Sequence, residues 1–160
     1  MSKKIKTRGF RNNNPLNIRK GVSRWEGRAK EQNDAEFVTF CSMAMGYRAA
    51  WKLMDSYRLR LLKQGLSYTL NNIILCWAPP AEGNDTHAYI QAVVGILKKL
   101  GGEEWLCPPF SPLGAPVMAR ILAAMTCVEN GIAYKDVPRQ AVEKGFQLAF
   151  PDEKPLRVEW

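Results

Sequence analysis

The stretch Ser42-Met43-Ala44-Met45-Gly46-Tyr47-Arg48-Ala49-Ala50-Trp51-Lys52-Leu53-Met54-Asp55-Ser56-Tyr57-Arg58-Leu59-Arg60-Leu61-Leu62-Lys63-Gln64-Gly65 decides the fold class. Met45, Ala49, Leu53, Tyr57 and Leu61 recur at helical spacing, while Arg48, Lys52, Asp55 and Arg58 fall largely elsewhere. That period gives one apolar stripe on a helix, and the spacing predicts a helix over 43–64. Ser42 can cap it and Gly65 can end it.

Toward the C-terminus the same signals repeat. Ser67 can cap a second helix through Leu70, Ile73, Ile74 and Trp77, which Pro79-Pro80 stops. Asn84 or Asp85 can cap a third, with apolar positions at Tyr89, Ile90, Val93, Val94 and Leu97 and a close at Gly101-Gly102. After a Pro-rich connection from Cys107 to Pro112, a fourth helix is expected from about Pro116 to Asn130, with Gly131 as its stop. A short last helix is expected over about Arg139 to Leu148. Toward the N-terminus, Asn12-Asn13-Asn14-Pro15 is a turn signal, because Asn tolerates unusual backbone angles and Pro fixes one. The stretch 22–40 carries Trp25 and Gly27, a polar segment, then Phe37-Val38-Thr39-Phe40, which reads as a hairpin. The expected class is mainly α (α+β): a single helical domain over 1–160, one small β-hairpin near the N-terminus and a basic, flexible arm over 1–11.

Composition bounds the function. A chain of 160 residues buries roughly 70% of its unfolded surface, so a core without staples is expected. The formal charge of +8 attracts polyanions, with nucleic acid, anionic glycan and phospholipid surfaces all admitted. Cys41, Cys76, Cys107 and Cys127 form no close pair and His87 stands alone, so no metal site and no cofactor are expected. Scattered single cysteines read as small core residues made in a reducing compartment. The basic start MSKKIKTRGF is not followed by an apolar stretch, and no run approaches a membrane span. Neither a secretory signal nor a spanning helix is therefore expected. Synthesis in the cytoplasm follows, with delivery to the cell envelope or the virion by another route.

A resemblance enters at Arg8-Gly9-Phe10-Arg11-Asn12-Asn13-Asn14-Pro15-Leu16-Asn17-Ile18-Arg19, followed by Trp25-Glu26-Gly27, Phe37–Phe40 and Gly46-Tyr47-Arg48-Ala49. With Trp77-Ala78-Pro79-Pro80, Asn84-Asp85-Thr86 and Tyr89, these segments resemble a group of phage and prophage proteins that are lysozyme-like in appearance. Relatives are often labelled virion structural proteins. Their usual opening has Gly where this chain has Leu16. A looser similarity connects the group to glucosaminidases and other peptidoglycan hydrolases of the lysozyme superfamily, with Asn17, the region 22–40, helix 43–64, Asp85 and Tyr89 in a similar order.

That resemblance implies a glycan groove and a catalytic acid. The superfamily's acid Glu precedes the segment that Asn17 would match, whereas here no Glu or Asp occurs before Glu26. The later helix ends Cys127-Val128-Glu129-Asn130-Gly131, similar to the ending of the superfamily's catalytic helix. A circularly permuted order would fold Glu129 back beside Asn14–Asn17, and a Glu at a helix C-terminus has a pKa raised by the helix dipole. Glycoside cleavage usually takes a second carboxylate. Glu31 and Asp34, in the polar connection of the expected hairpin, are the candidates, although such residues are commonly only solvated. Asn14, Asn17, Trp25, Trp77, Asp85, Thr86 and Tyr89 are the candidate substrate contacts, the aromatic rings offering apolar faces to sugars. Asn84, Asp85 and Thr86 can equally serve as plain caps. Three functions follow in order: a peptidoglycan hydrolase or lytic transglycosylase, a non-catalytic virion or wall-binding protein on the same fold, and a nucleic-acid binder using its basic arm. The expected partner is peptidoglycan or another anionic glycan, with virion proteins also admitted.

Overall fold

The computed structural model describes residues 4–100 and 114–160. Among the described residues the α-helices are α1 (Arg8–Arg11), α2 (Met43–Lys63), α3 (Leu70–Trp77), α4 (Thr86–Lys98), α5 (Ala115–Asn130) and α6 (Arg139–Ala149). Single 3-10 turns stand at Pro80–Glu82 and Tyr134–Asp136. The protein is mainly helical, as the apolar periodicities require. The Gly101-Gly102 pair, Trp105 and the Cys107 to Pro112 connection lie outside the described residues.

Caps fix the helix starts. Ser42 Oγ accepts from the Met45 amide, and Asp85 Oδ1 accepts from the Ala88 amide. The α3 cap falls on Thr69, whose Oγ1 accepts from the Asn72 amide at 3.2 Å, rather than on Ser67. Both residue types can cap, and the choice goes to the hydroxyl three residues before a free amide. Gly65 and Gly131 follow α2 and α5 in the left-handed conformation that ends helices.

Helix α5 is the centre of the domain. Every residue from Met118 to Cys127 except Arg120 is buried, and a helix apolar all round belongs in a core. It packs against α4, α6 and α1, while α2 lies along α6. Trp51, from α2, donates to the Val142 carbonyl of α6 at 3.0 Å, and Tyr47 pairs its hydroxyl with Thr126 of α5 at 2.9 Å. Gly145 makes the α2–α6 approach possible, since a Cβ there would sit 2.6 Å from Tyr47 Cβ. Among the described cysteines, Cys127 is buried, Cys76 is half-buried and Cys41 is exposed, so only Cys127 is the expected core thiol.

Two expectations for the N-terminal region need correcting. The flexible arm over 1–11 is ordered from Thr7 onward: α1 begins at Arg8, Gly9 is buried, and the Thr7 hydroxyl donates to Asn130 Oδ1 at 2.7 Å. The hairpin over 22–40 does not form as paired strands. Two isolated antiparallel bridges stand instead, Arg19 with Phe37 and Arg28 with Phe40. The physical reason is that the 36–41 backbone splits its pairing between two segments, 18–20 and 27–29, and asparagine side chains take further carbonyls beside them. Asn14 Nδ2 donates to the carbonyls of Ile18 and Val38, both at 2.9 Å, and its Oδ1 accepts from the Ile18 amide at 2.8 Å. Asn13 Nδ2 donates to the Phe40 carbonyl at 3.1 Å. Asn13 and Asn17 both take positive φ, 49° and 52°, which asparagine tolerates better than most residues. Leu16 needs no such angle and puts its side chain fully into the core.

The asparagine loop also reaches α2 closely. At Gly46 an added Cβ would come 2.0 Å from the Asn13 carbonyl oxygen and 2.8 Å from Pro15 Cδ. Only a residue without a side chain lets this loop lie on the helix.

Candidate active site

Glu129 is the last residue but one of α5, so the core helix delivers its carboxyl to the domain surface. Three neutral donors from three parts of the chain converge on it. Tyr89, from α4, donates its hydroxyl to Oε1 at 3.0 Å. The Trp77 indole N–H, at the end of α3, donates to the same oxygen at 3.3 Å. Asn17 Nδ2 donates to Oε2 at 3.2 Å. Asn17 and Glu129 are 112 positions apart in sequence.

Asn130 holds this closure. Its Nδ2 donates to the Pro15 carbonyl at 2.8 Å and to the Thr126 carbonyl at 2.9 Å, while its Oδ1 accepts from Thr7. The N-terminal loop is thereby tied to the C-terminal turn of α5 next to Glu129.

Electrostatics divides the carboxylates. Burial pushes the Glu129 pKa up, against the pull of its donors Asn17, Tyr89 and Trp77 and of the Arg19 charge. Desolvation disfavours the ionised form, and three neutral donors do not fully replace water. Tyr89 is likewise pushed up, first by burial and then by the negative charge of Glu129. A protonated carboxyl at the end of a buried helix can give a proton to a bound ligand.

Glu129 lines a cleft of about 640 Å³. Its wall is aromatic, with Trp25, Phe37, Tyr57, Trp77 and Tyr89, and Arg19 and Glu82 contribute charge. Of the residues singled out from sequence, the cleft gathers Asn17, Trp25, Trp77, Tyr89 and Glu129. Phe37 and Tyr57 were missed as lining residues. Phe37 sits in a β-type run and Tyr57 on the apolar stripe of α2, and both patterns signal core.

The other candidates are placed elsewhere. Asp34 does not line the cleft. Its carboxylate takes the Arg8 guanidinium at 2.7 and 2.8 Å, Asn12 Nδ2 at 3.0 Å and the amides of Glu36 and Phe37. The Arg8 contact, followed by the Phe37 and Glu36 amides, holds it well below the usual carboxylate range. Its carboxylate ties the 34–37 loop to Arg8 and Asn12. Glu31 is exposed and does not line the cleft. Asn14 is fully buried and spent on backbone groups. Asp85 caps α4, and Thr86 is buried with its hydroxyl donating to the Ala78 carbonyl. None of these three positions lines the cleft. Cys127 is buried and its thiol is pushed up to about 11 by that burial, which is the wrong direction for a nucleophile. Among the described residues no cluster of His, Cys, Asp and Glu could hold a metal ion, and no helix is long and apolar enough to cross a membrane.

No known family profile matches the chain. Its sequence is 34% identical over 146 residues to a phage protein, "Protein P5" of Pseudoalteromonas phage PM2, covering 89% of this chain and 82% of that one.

Proposed function

The chain belongs to the family of protein P5 of phage PM2, and on that premise we propose that it is a phage-type enzyme cleaving the glycan strands of peptidoglycan, with Glu129 as its acid. The observation that carries this reading is the position of Glu129: a carboxyl raised by burial, in an aromatic cleft, held by Asn17, Trp77 and Tyr89. The arrangement of a late helix closing on an early asparagine segment fits a circularly permuted lysozyme-like site.

Among the described lining residues only Glu82 joins Glu129 as a carboxylate, and Glu82 is exposed. A two-carboxylate hydrolase usually places its second group beside the scissile bond. The site is better suited to a lytic transglycosylase, which needs one. Glu129 protonates the bridging oxygen, the C1–O bond breaks, and the leaving sugar departs as an alcohol. The Glu129 carboxylate then accepts the proton of the substrate's own C6 hydroxyl as that oxygen bonds to C1, giving an anhydro ring without water. The hydrogen bonds from Tyr89, Trp77 and Asn17 steady the carboxylate between these two transfers.

A second reading has its own support. All three donors already engage the Glu129 carboxyl, which also suits a glycan-binding virion protein that holds the wall without cutting it.

The test is digestion of isolated sacculi, with released fragments identified by mass. The wild-type protein releases anhydro-ended fragments, and Glu129→Gln releases them about a hundredfold or more slowly, the contribution of a positioned general acid. Undiminished release by Glu129→Gln removes Glu129 from the mechanism. Co-sedimentation with sacculi without any release selects the binding reading.

A further inference from the structure

The acidic residues of the 34–36 segment are consumed by one arginine. Arg8 bonds Asp34 through two nitrogens and Glu36 at 3.2 Å. Its guanidinium carbon also lies 4.4 Å from the centre of the Phe37 ring. Arg19 stacks on the same ring at 5.1 Å, and its backbone is bridged to Phe37. None of the ion pairs among the described residues includes Arg19, although Glu82 and Glu129 line the same cleft. Arg19 thus stacks on an aromatic ring, on the wall of a sugar-sized cleft, without a carboxylate in ion-pair contact.

We propose that Arg19 forms an anion-reading subsite of the cleft, taking a carboxylate carried on the glycan and selecting acidic glycans over neutral ones. The inference rests on the glycan-cleft reading above and adds the charge of its ligand. A guanidinium fork matches the two oxygens of a carboxylate, and its ring contact pre-orients the fork. Trp25 and Phe37, on the same wall, supply apolar faces for the sugar that bears the acid.

Binding is read by tryptophan fluorescence in the Glu129→Gln background, so that turnover does not consume the ligand. The acidic probe is a soluble disaccharide-peptide released from peptidoglycan, and the neutral probe is tetra-N-acetylchitotetraose. Melting curves establish that each variant is folded. The parent binds the acidic probe better, and Arg19→Glu removes about tenfold or more of that affinity, the effect of losing a hydrogen bond to a charged group. Arg19→Lys retains part of it, and the neutral probe is unaffected by either change. Equal loss for both probes, or no loss for the acidic one, overturns the inference. Binding of neither probe overturns it together with the glycan reading. Arg19-dependent binding of the acidic probe by a protein that releases nothing from sacculi sustains the subsite and refutes only the proposed cleavage.

Discussion

Glu129→Gln has a consequence for stability that can be measured without any substrate. The introduced amide imitates the protonated acid: its oxygen takes the place of Oε1, which accepts from Tyr89 and Trp77 at 3.0 and 3.3 Å. The new NH₂ group faces Asn17, whose Nδ2 lies 3.2 Å from the oxygen it replaces. The Asn17 amide can turn its oxygen, which is buried without a partner, toward that donor. At pH 4 the two proteins should therefore agree to within about 1 kcal/mol, the net worth of one hydrogen bond. The sign of the divergence at higher pH follows from the raised pKa of Glu129. The folded state holds the proton more tightly than the unfolded chain, so this contribution is fully present below the unfolded value, about 4.3. It is lost as pH rises through the folded value. In that window the wild type loses up to about 1.4 kcal/mol per pH unit relative to the variant, and beyond it the gap is constant. Every other titrating group cancels in the difference. Urea unfolding of both proteins from pH 4 to pH 8 reads the gap directly. A flat difference, or one moving in favour of the wild type with rising pH, would refute the raised pKa of the desolvated Glu129 and with it the acid role.

Three further outcomes follow from the packing. Asp34→Asn weakens the loop at neutral pH, because the Asp34 pKa is depressed by Arg8 and its stabilisation is fully present above the unfolded value, about 3.9, and is lost as pH falls from there toward the depressed folded value. The gap to wild type narrows as pH falls below that, and thermal melting at pH 7 and pH 3 checks the direction. Asn14→Ala leaves the Ile18 amide and the Val38 carbonyl without partners in the core, costing about 2–4 kcal/mol in urea unfolding. A loss below about 1 kcal/mol would mean that water replaces the side chain. Gly46→Ala drives a methyl group into the Asn13 carbonyl and costs about 2–3 kcal/mol or more, unless α2 and the loop separate. An unchanged denaturation midpoint would show that the approach is not tight.

The helices were legible because their signals are local. The four-residue recurrence from Met45 to Leu61, the cap at Ser42 and the stop at Gly131 depend only on neighbours one turn away. The cap at Thr69 was missed because Ser67 offers the same hydroxyl two residues earlier. The hairpin over 22–40 was misread for a different reason. Alternation signals extended backbone, but it does not say what the backbone pairs with, and here residues 36–41 divide their pairing between 18–20 and 27–29, with Asn13 and Asn14 taking further carbonyls.

By itself, the sequence determined a basic, mainly helical chain with a helix at each expected place among the described residues. It also pointed to Glu129 and Asn17, but only through resemblance to other proteins. Tertiary structure alone decided which carboxylate meets the cleft. Asp34 and Glu129 are both acidic residues beside asparagines in the chain, yet the Arg8 contact lowers the pKa of one while burial at the end of α5 raises that of the other. A pKa depends on the charges and the water around a group, and at Glu129 those are set by segments more than a hundred residues apart.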